Sequence, residues 1–181
     1  MKRVLHQLHH LTHEEETTIP EPPLPLELDP ATRRSLAIGL YNRAWELLEI
    51  AERTPDQNDE LVHAAHASCY HWGEVGTPVN RARGEWQCSR VYAVLGRPEP
   101  ALHHARRCLA ILEEHAAAAD RGGAEDWDAA AAYEALTRAH AVAGDRVESD
   151  RWAIRAREAC ATIADPADRE IIEQDLATIP R

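Results

Sequence analysis

From Asp29 onward, apolar residues return every three or four positions, and proline, glycine and aspartate interrupt them at intervals. That spacing is the signature of amphipathic helices with one buried face. Asp29 or Thr32 can cap a first helix running to about Arg53, with Leu36, Leu40, Leu47, Leu48 and Ile50 as its stripe. Thr54-Pro55-Asp56 breaks it, and a second helix is predicted from about Asn58 to Val75. Thr77 and Pro78 are an N-cap and first-turn proline for a third, which ends at Leu95 before Gly96. A fourth starts after Pro98-Glu99-Pro100 and runs past Glu114 into an alanine run, which Arg121-Gly122-Gly123 terminates. Asp126 caps a fifth ending at Ala143, and Gly144-Asp145 leads into a sixth, Val147 to Ala164. Asp165 and Pro166 open a short seventh that stops near Ile179-Pro180. Nothing reads as a strand. Helices joined by turns this short pack antiparallel, so the fold class expected is all-α, built from antiparallel helix pairs.

Residues 1–30 follow a different rule. Ile19-Pro20-Glu21-Pro22-Pro23-Leu24-Pro25 cannot sustain a helix, because proline fixes φ and removes a donor. The stretch reads as an extended arm, poorly ordered, ahead of a helical domain from residue 31 to 181. Within it, His6, His9, His10 and His13 share one face of a short helical turn.

Two segments align with each other. In the first, Ser89, Tyr92 and Gly96 are followed by Ala101, Ala105 and Cys108. In the second, Thr137, His140 and Gly144 are followed by Ser149, Ala153 and Ala156. A small residue, an aromatic and a glycine on one helix, then three small residues on the next, lets two helix backbones approach closely. This pattern resembles the tetratricopeptide repeat over roughly residues 80–163, and Tyr70 through Gly96 also resembles short repeat proteins of high-GC bacteria. The departures are Glu85 where tryptophan is usual, Cys88 where leucine is usual, and His140 for tyrosine. Gly96 and Gly144 are also further apart than one repeat, and the first helix pair carries no motif. The resemblance implies a short α-solenoid of about six helices plus a C-terminal capping helix.

Composition narrows the partners. A net charge of −11 spread along the chain disfavours nucleic acid and anionic lipid. No run nears the roughly 18 apolar residues of a membrane span, and histidines break the apolar stretch a signal peptide would need after Met1-Lys2-Arg3. A cytoplasmic location is the expectation. The four cysteines, Cys69, Cys88, Cys108 and Cys160, stand singly in helical segments with no C-x-x-C pair, and read as small buried hydrophobes.

In tetratricopeptide proteins, ligands lie on the first helix of each repeat. Carried over residue by residue, the resemblance implies contacts from Arg83, Trp86, Arg90, Glu134 and Arg138. Arg83, Trp86 and Arg90 share one helical face by spacing alone, with Asn80 one turn earlier. Guanidinium groups flanking an indole suit a carboxylate or phosphate. The plainer alternative pairs the arginines with Glu74, Glu85 or Glu134 and buries the tryptophan. A second set lies on the second helix: His63, His66 and His71, with Tyr70 and Glu74, to which His103 or His104 could add a ligand from the fourth. H-E-x-x-H is not present, and ordinary histidines account for each. No G-x-S-x-G or glycine-rich phosphate loop occurs.

The function expected is a non-enzymatic helical-repeat adaptor holding a peptide or partner protein in a concave groove, with no metal, no cofactor and no catalytic residue. A homodimer is also expected, since a chain this short gains burial by pairing. The alternative is a small-molecule-binding protein or enzyme whose pocket, between the second and third helices, takes an anionic ligand or a metal. His66, Tyr70, His71, Arg83, Trp86 and Arg90 would line it.

Overall fold

The computed structural model describes residues 27–117 and 123–180, so the predicted N-terminal arm and its histidines lie outside the described residues. Among the described residues, seven helices account for the secondary structure: α1 (Pro30–Leu48), α2 (Pro55–Val75), α3 (Pro78–Val94), α4 (Pro98–Ala117), α5 (Asp128–Val142), α6 (Arg146–Cys160) and α7 (Pro166–Ala177). No strand occurs among the described residues.

Local chemistry sets the ends. Asp29 accepts from the Ala31 and Thr32 amides, and Asp145 and Asp165 cap α6 and α7 in the same manner. Thr54 with Gln57, and Thr77 with Asn80, close reciprocal capping boxes that satisfy two orphan donors each. Gly96 and Gly144 sit at φ +67° and +77°, where a side chain would be strained. At both corners the following amide reaches back five residues: Arg97 to the Tyr92 carbonyl at 2.9 Å, Asp145 to that of His140 at 3.0 Å. The two aligned segments therefore turn by the same device.

Several predicted boundaries move. α2 starts at Pro55, three residues ahead of Asn58, because Thr54 caps it. α1 stops at Leu48 rather than Arg53, because the Arg53 guanidinium folds back onto the Leu47, Leu48 and Ile50 carbonyls. α4 begins at Pro98, whose missing N–H costs nothing in a first turn. α6 ends at Cys160, four residues short of Ala164. Arg169 takes the Ile163 carbonyl, and Asp126 takes the Ala164 amide at 2.8 Å. Asp126 thus ties α6 down instead of capping α5, which starts at Asp128 with no side-chain cap.

Packing is closest within α1/α2, α3/α4 and α5/α6, and continues from α2 to α3 and from α4 to α5. α3 also touches α1 and α5, and α7 rests on α5 and α6. The small residues of the aligned pattern lie in the helix seams. Ala101, Ala105, Cys108, Ala153 and Ala156 are buried. A buried serine crosses each pair to a partner-helix carbonyl: Ser68 to Ala37 at 2.8 Å, Ser89 to Ala101 at 2.9 Å, Ser149 to Thr137 at 3.0 Å. Such hydroxyls fit only where backbones lie close. One core, with Leu47, Leu61, Cys88 and Val91, fills α1–α3; a second, alanine-rich, runs from α3 to α7 around Trp86, Ile111, Leu136 and Ile172. No helix among the described residues is long and apolar enough to cross a membrane.

Candidate functional site

α3 is packed on both sides, and it carries two different clusters of polar groups. The first faces α5 and α7. Arg90 and Glu134, 8% and 1% exposed, lie buried against each other at 3.7 Å. Arg138, one turn along α5, donates to the same Glu134 carboxylate at 2.7 Å through Nε. Its other nitrogen donates to the Asp175 carbonyl at 2.6 Å and to the Thr178 hydroxyl at 2.8 Å. Arg90 also pairs with the Asp175 carboxylate. Burial holds the Arg138 guanidinium below its ordinary range, against the pull of Glu134. Two cations and two anions balance here. The end of α7 is thereby fastened over the positions where the repeat resemblance puts a ligand.

Arg83 is engaged as well. It makes two parallel hydrogen bonds to Asp128, at 2.8 and 2.9 Å, and lies 4.3 Å over the Trp127 ring. Trp86 is core, tilted against Trp45 at 5.5 Å. The space enclosed by Arg83, Trp86, Trp127 and Asp128 leaves no room for a water molecule. Asn80 is committed to the Thr77 cap. Asn80, Arg83, Trp86, Arg90, Glu134 and Arg138 are therefore placed in caps, ion pairs and core, with acidic partners, Asp128 and Asp175, that spacing did not reveal.

The second cluster lies between α2, α3 and α4. On α3, Gly84, Cys88 and Tyr92 succeed each other one turn apart, with Glu85 beside them. A Cβ on Gly84 would come within 3.0–3.2 Å of Cys69, so its absence lets α2 close on α3. His66, one turn before Cys69, meets the Tyr92 hydroxyl at 2.8 Å through Nε2. From α4, His104 stacks on Tyr92 at 5.6 Å and sits edge-on to His66 at 5.1 Å. Glu85 accepts a hydrogen bond from His104 Nδ1 at 2.6 Å, which leaves Nε2 with its lone pair. One donor atom each from His66, Cys88 and His104 lies within 4.8 Å of the other two. Burial, then the neighbouring His104, lowers the His66 imidazole below 6.5, toward its neutral form. The Cys88 thiol is pushed up, first by its hydrogen bond with Cys69 and then by burial.

Of the second-helix set only His66 enters this cluster. Tyr70 is 61% exposed and packs edge-on against His71, whose buried Nδ1 has no partner. A third feature is a groove of about 810 Å³ between α5, α6 and α7. Its walls include Ala141, Ala153, Leu176 and Ile179, with Arg146, Asp150, Arg157 and Glu173 among the charged lining. Comparison with family models, curated proteins and solved structures finds no match for this chain.

Proposed function

We propose that the chain is a tetratricopeptide-like stack of three helix pairs closed by α7, acting in the cytoplasm as a non-enzymatic adaptor. The observation that carries the reading is the open groove beside α7, mixed in lining and large enough for a helix or extended peptide. Matching corners at Gly96 and Gly144, and seams of small residues in successive pairs, support the repeat architecture. Because α7 already holds Arg90 and Arg138, the partner is received alongside α7 rather than on the first-helix arginines. Val147, Ile154 and Ile171 are exposed on α6 and α7, apolar surface that a second copy can cover in a homodimer.

Photo-crosslinking tests this. A crosslinking residue at Arg157, in the groove, should trap a polypeptide that the same residue at Glu52, remote in sequence on the α1–α2 turn, does not. Ala177→Trp, which fills the groove from an exposed position, should abolish the product. Equal trapping at both places, or none at Arg157, overturns the proposal.

A small-molecule or enzymatic reading gains nothing from the arginine face, whose charges are already paired. One observation favours it elsewhere, the convergence of His66, Cys88 and His104.

A further inference from the structure

The geometry points to a metal site formed by His66, Cys88 and His104, taking a borderline-soft divalent cation of the zinc class. Three donors of the right chemistry converge from three helices: two imidazoles and one thiol. Imidazole and thiolate together suit zinc far better than magnesium or calcium, which take oxygen. Their mutual separation, within 4.8 Å, compares with about 3.5 Å between ligand atoms of a closed tetrahedral zinc site. Small side-chain rotations close a gap of that size.

A second observation, independent of the three donors, is the support behind them. Glu85 holds His104 through Nδ1 at 2.6 Å, the carboxylate–histidine arrangement that fixes the tautomer and aims the other nitrogen at a metal. The charges then close: a divalent cation and one thiolate leave a single positive charge, which the Glu85 carboxylate balances. No fourth protein donor joins the group among the described residues, so the fourth position falls to water. Binding releases the Cys88 thiol proton to solvent, with no change in oxidation state. Glu85 and Cys88 are also two of the departures from the repeat pattern. This inference is independent of the groove and of the adaptor reading.

The test uses the full chain with His6, His9, His10 and His13 changed to serine, so that the N-terminal histidines contribute nothing. Stripped of metal under reductant, it is titrated with Co²⁺ alone. Binding should saturate at a single equivalent, with a thiolate-to-cobalt band in the near ultraviolet and the intense visible bands of four-coordinate cobalt. Cys88→Ser should abolish the ultraviolet band. Glu85→Gln should weaken binding roughly 10–100-fold, as outer-shell partners do, and His104→Gln by more than about 100-fold. The His104 side chain keeps 13% of its surface exposed whereas Cys88 keeps none, so its variant keeps the test open if Cys88→Ser fails to fold. No charge-transfer band in the folded parent chain overturns the proposal. So does a band that survives Cys88→Ser, or an affinity indifferent to His104→Gln.

Discussion

The two polar clusters beside α3 differ in how their groups are satisfied. Facing α5 and α7, cations meet anions: Arg90 and Arg138 share Glu134, and both reach Asp175, one by its carboxylate and one by its carbonyl. Facing α2 and α4, lone-pair donors meet one another, with only Tyr92, Glu85 and Cys69 to occupy them. Both are packed between helices, and both use residue types associated with binding. The first is balanced in charge, with Arg90 Nε and Glu134 Oε2 buried without hydrogen-bond partners, and its desolvation cost is offset only while every member remains. The second gains from a cation that the chain itself does not supply. Burial of polar groups between helices therefore does not by itself mark a site; the balance of charge and lone pairs within the cluster does.

The largest expected effect breaks the first cluster. Glu134→Gln leaves two guanidinium groups facing a neutral amide and should cost about 3–5 kcal/mol in urea-unfolding midpoints, with the slope unchanged. A cost below about 1 kcal/mol would mean that water or α7 fraying already relieves the network. Next in size is an effect on the second cluster alone. Free Zn²⁺ at about 100 times its dissociation constant should add about 2.7 kcal/mol to the parent chain and nothing to Cys88→Ser. Glu134→Gln should keep that increment, since the two clusters share no member. The smallest sharpens the contrast inside the ion-paired set. Arg83→Lys keeps the charge but loses the second hydrogen bond to Asp128 and the stacking on Trp127, for about 1 kcal/mol by thermal unfolding.

How much of this was legible in the chain depends on whether the cause was local. Asp29, Thr77 and Asp165 marked helix starts because a capping side chain bonds amides two or three residues away. Gly96 and Gly144 marked helix ends because only a left-handed residue makes that corner. The end of α6 moved for a cause set at a distance: Asp126 reaches Ala164, 38 residues on. At the candidate sites, spacing put Arg83, Trp86 and Arg90 on one face. It could not supply Asp128 or Asp175, which stand 45 and 85 positions beyond Arg83 and Arg90 and carry no periodic signal. The histidine cluster left a trace in the sequence. Glu85 and Cys88 break the repeat pattern at neighbouring positions, and His104 falls on the following helix, yet nothing in their order pairs them with His66 rather than with His63 or His71.

By itself, then, the sequence determined seven helices, their caps and turns, and small-residue seams that let the backbones approach, because those depend on neighbours within about one turn. Only the tertiary structure decided what each buried charge and lone pair would meet. The same arginine can bind a ligand or close an ion pair. Which it does depends on whether α7 swings over it, a matter of how helices distant in sequence come to rest on one another.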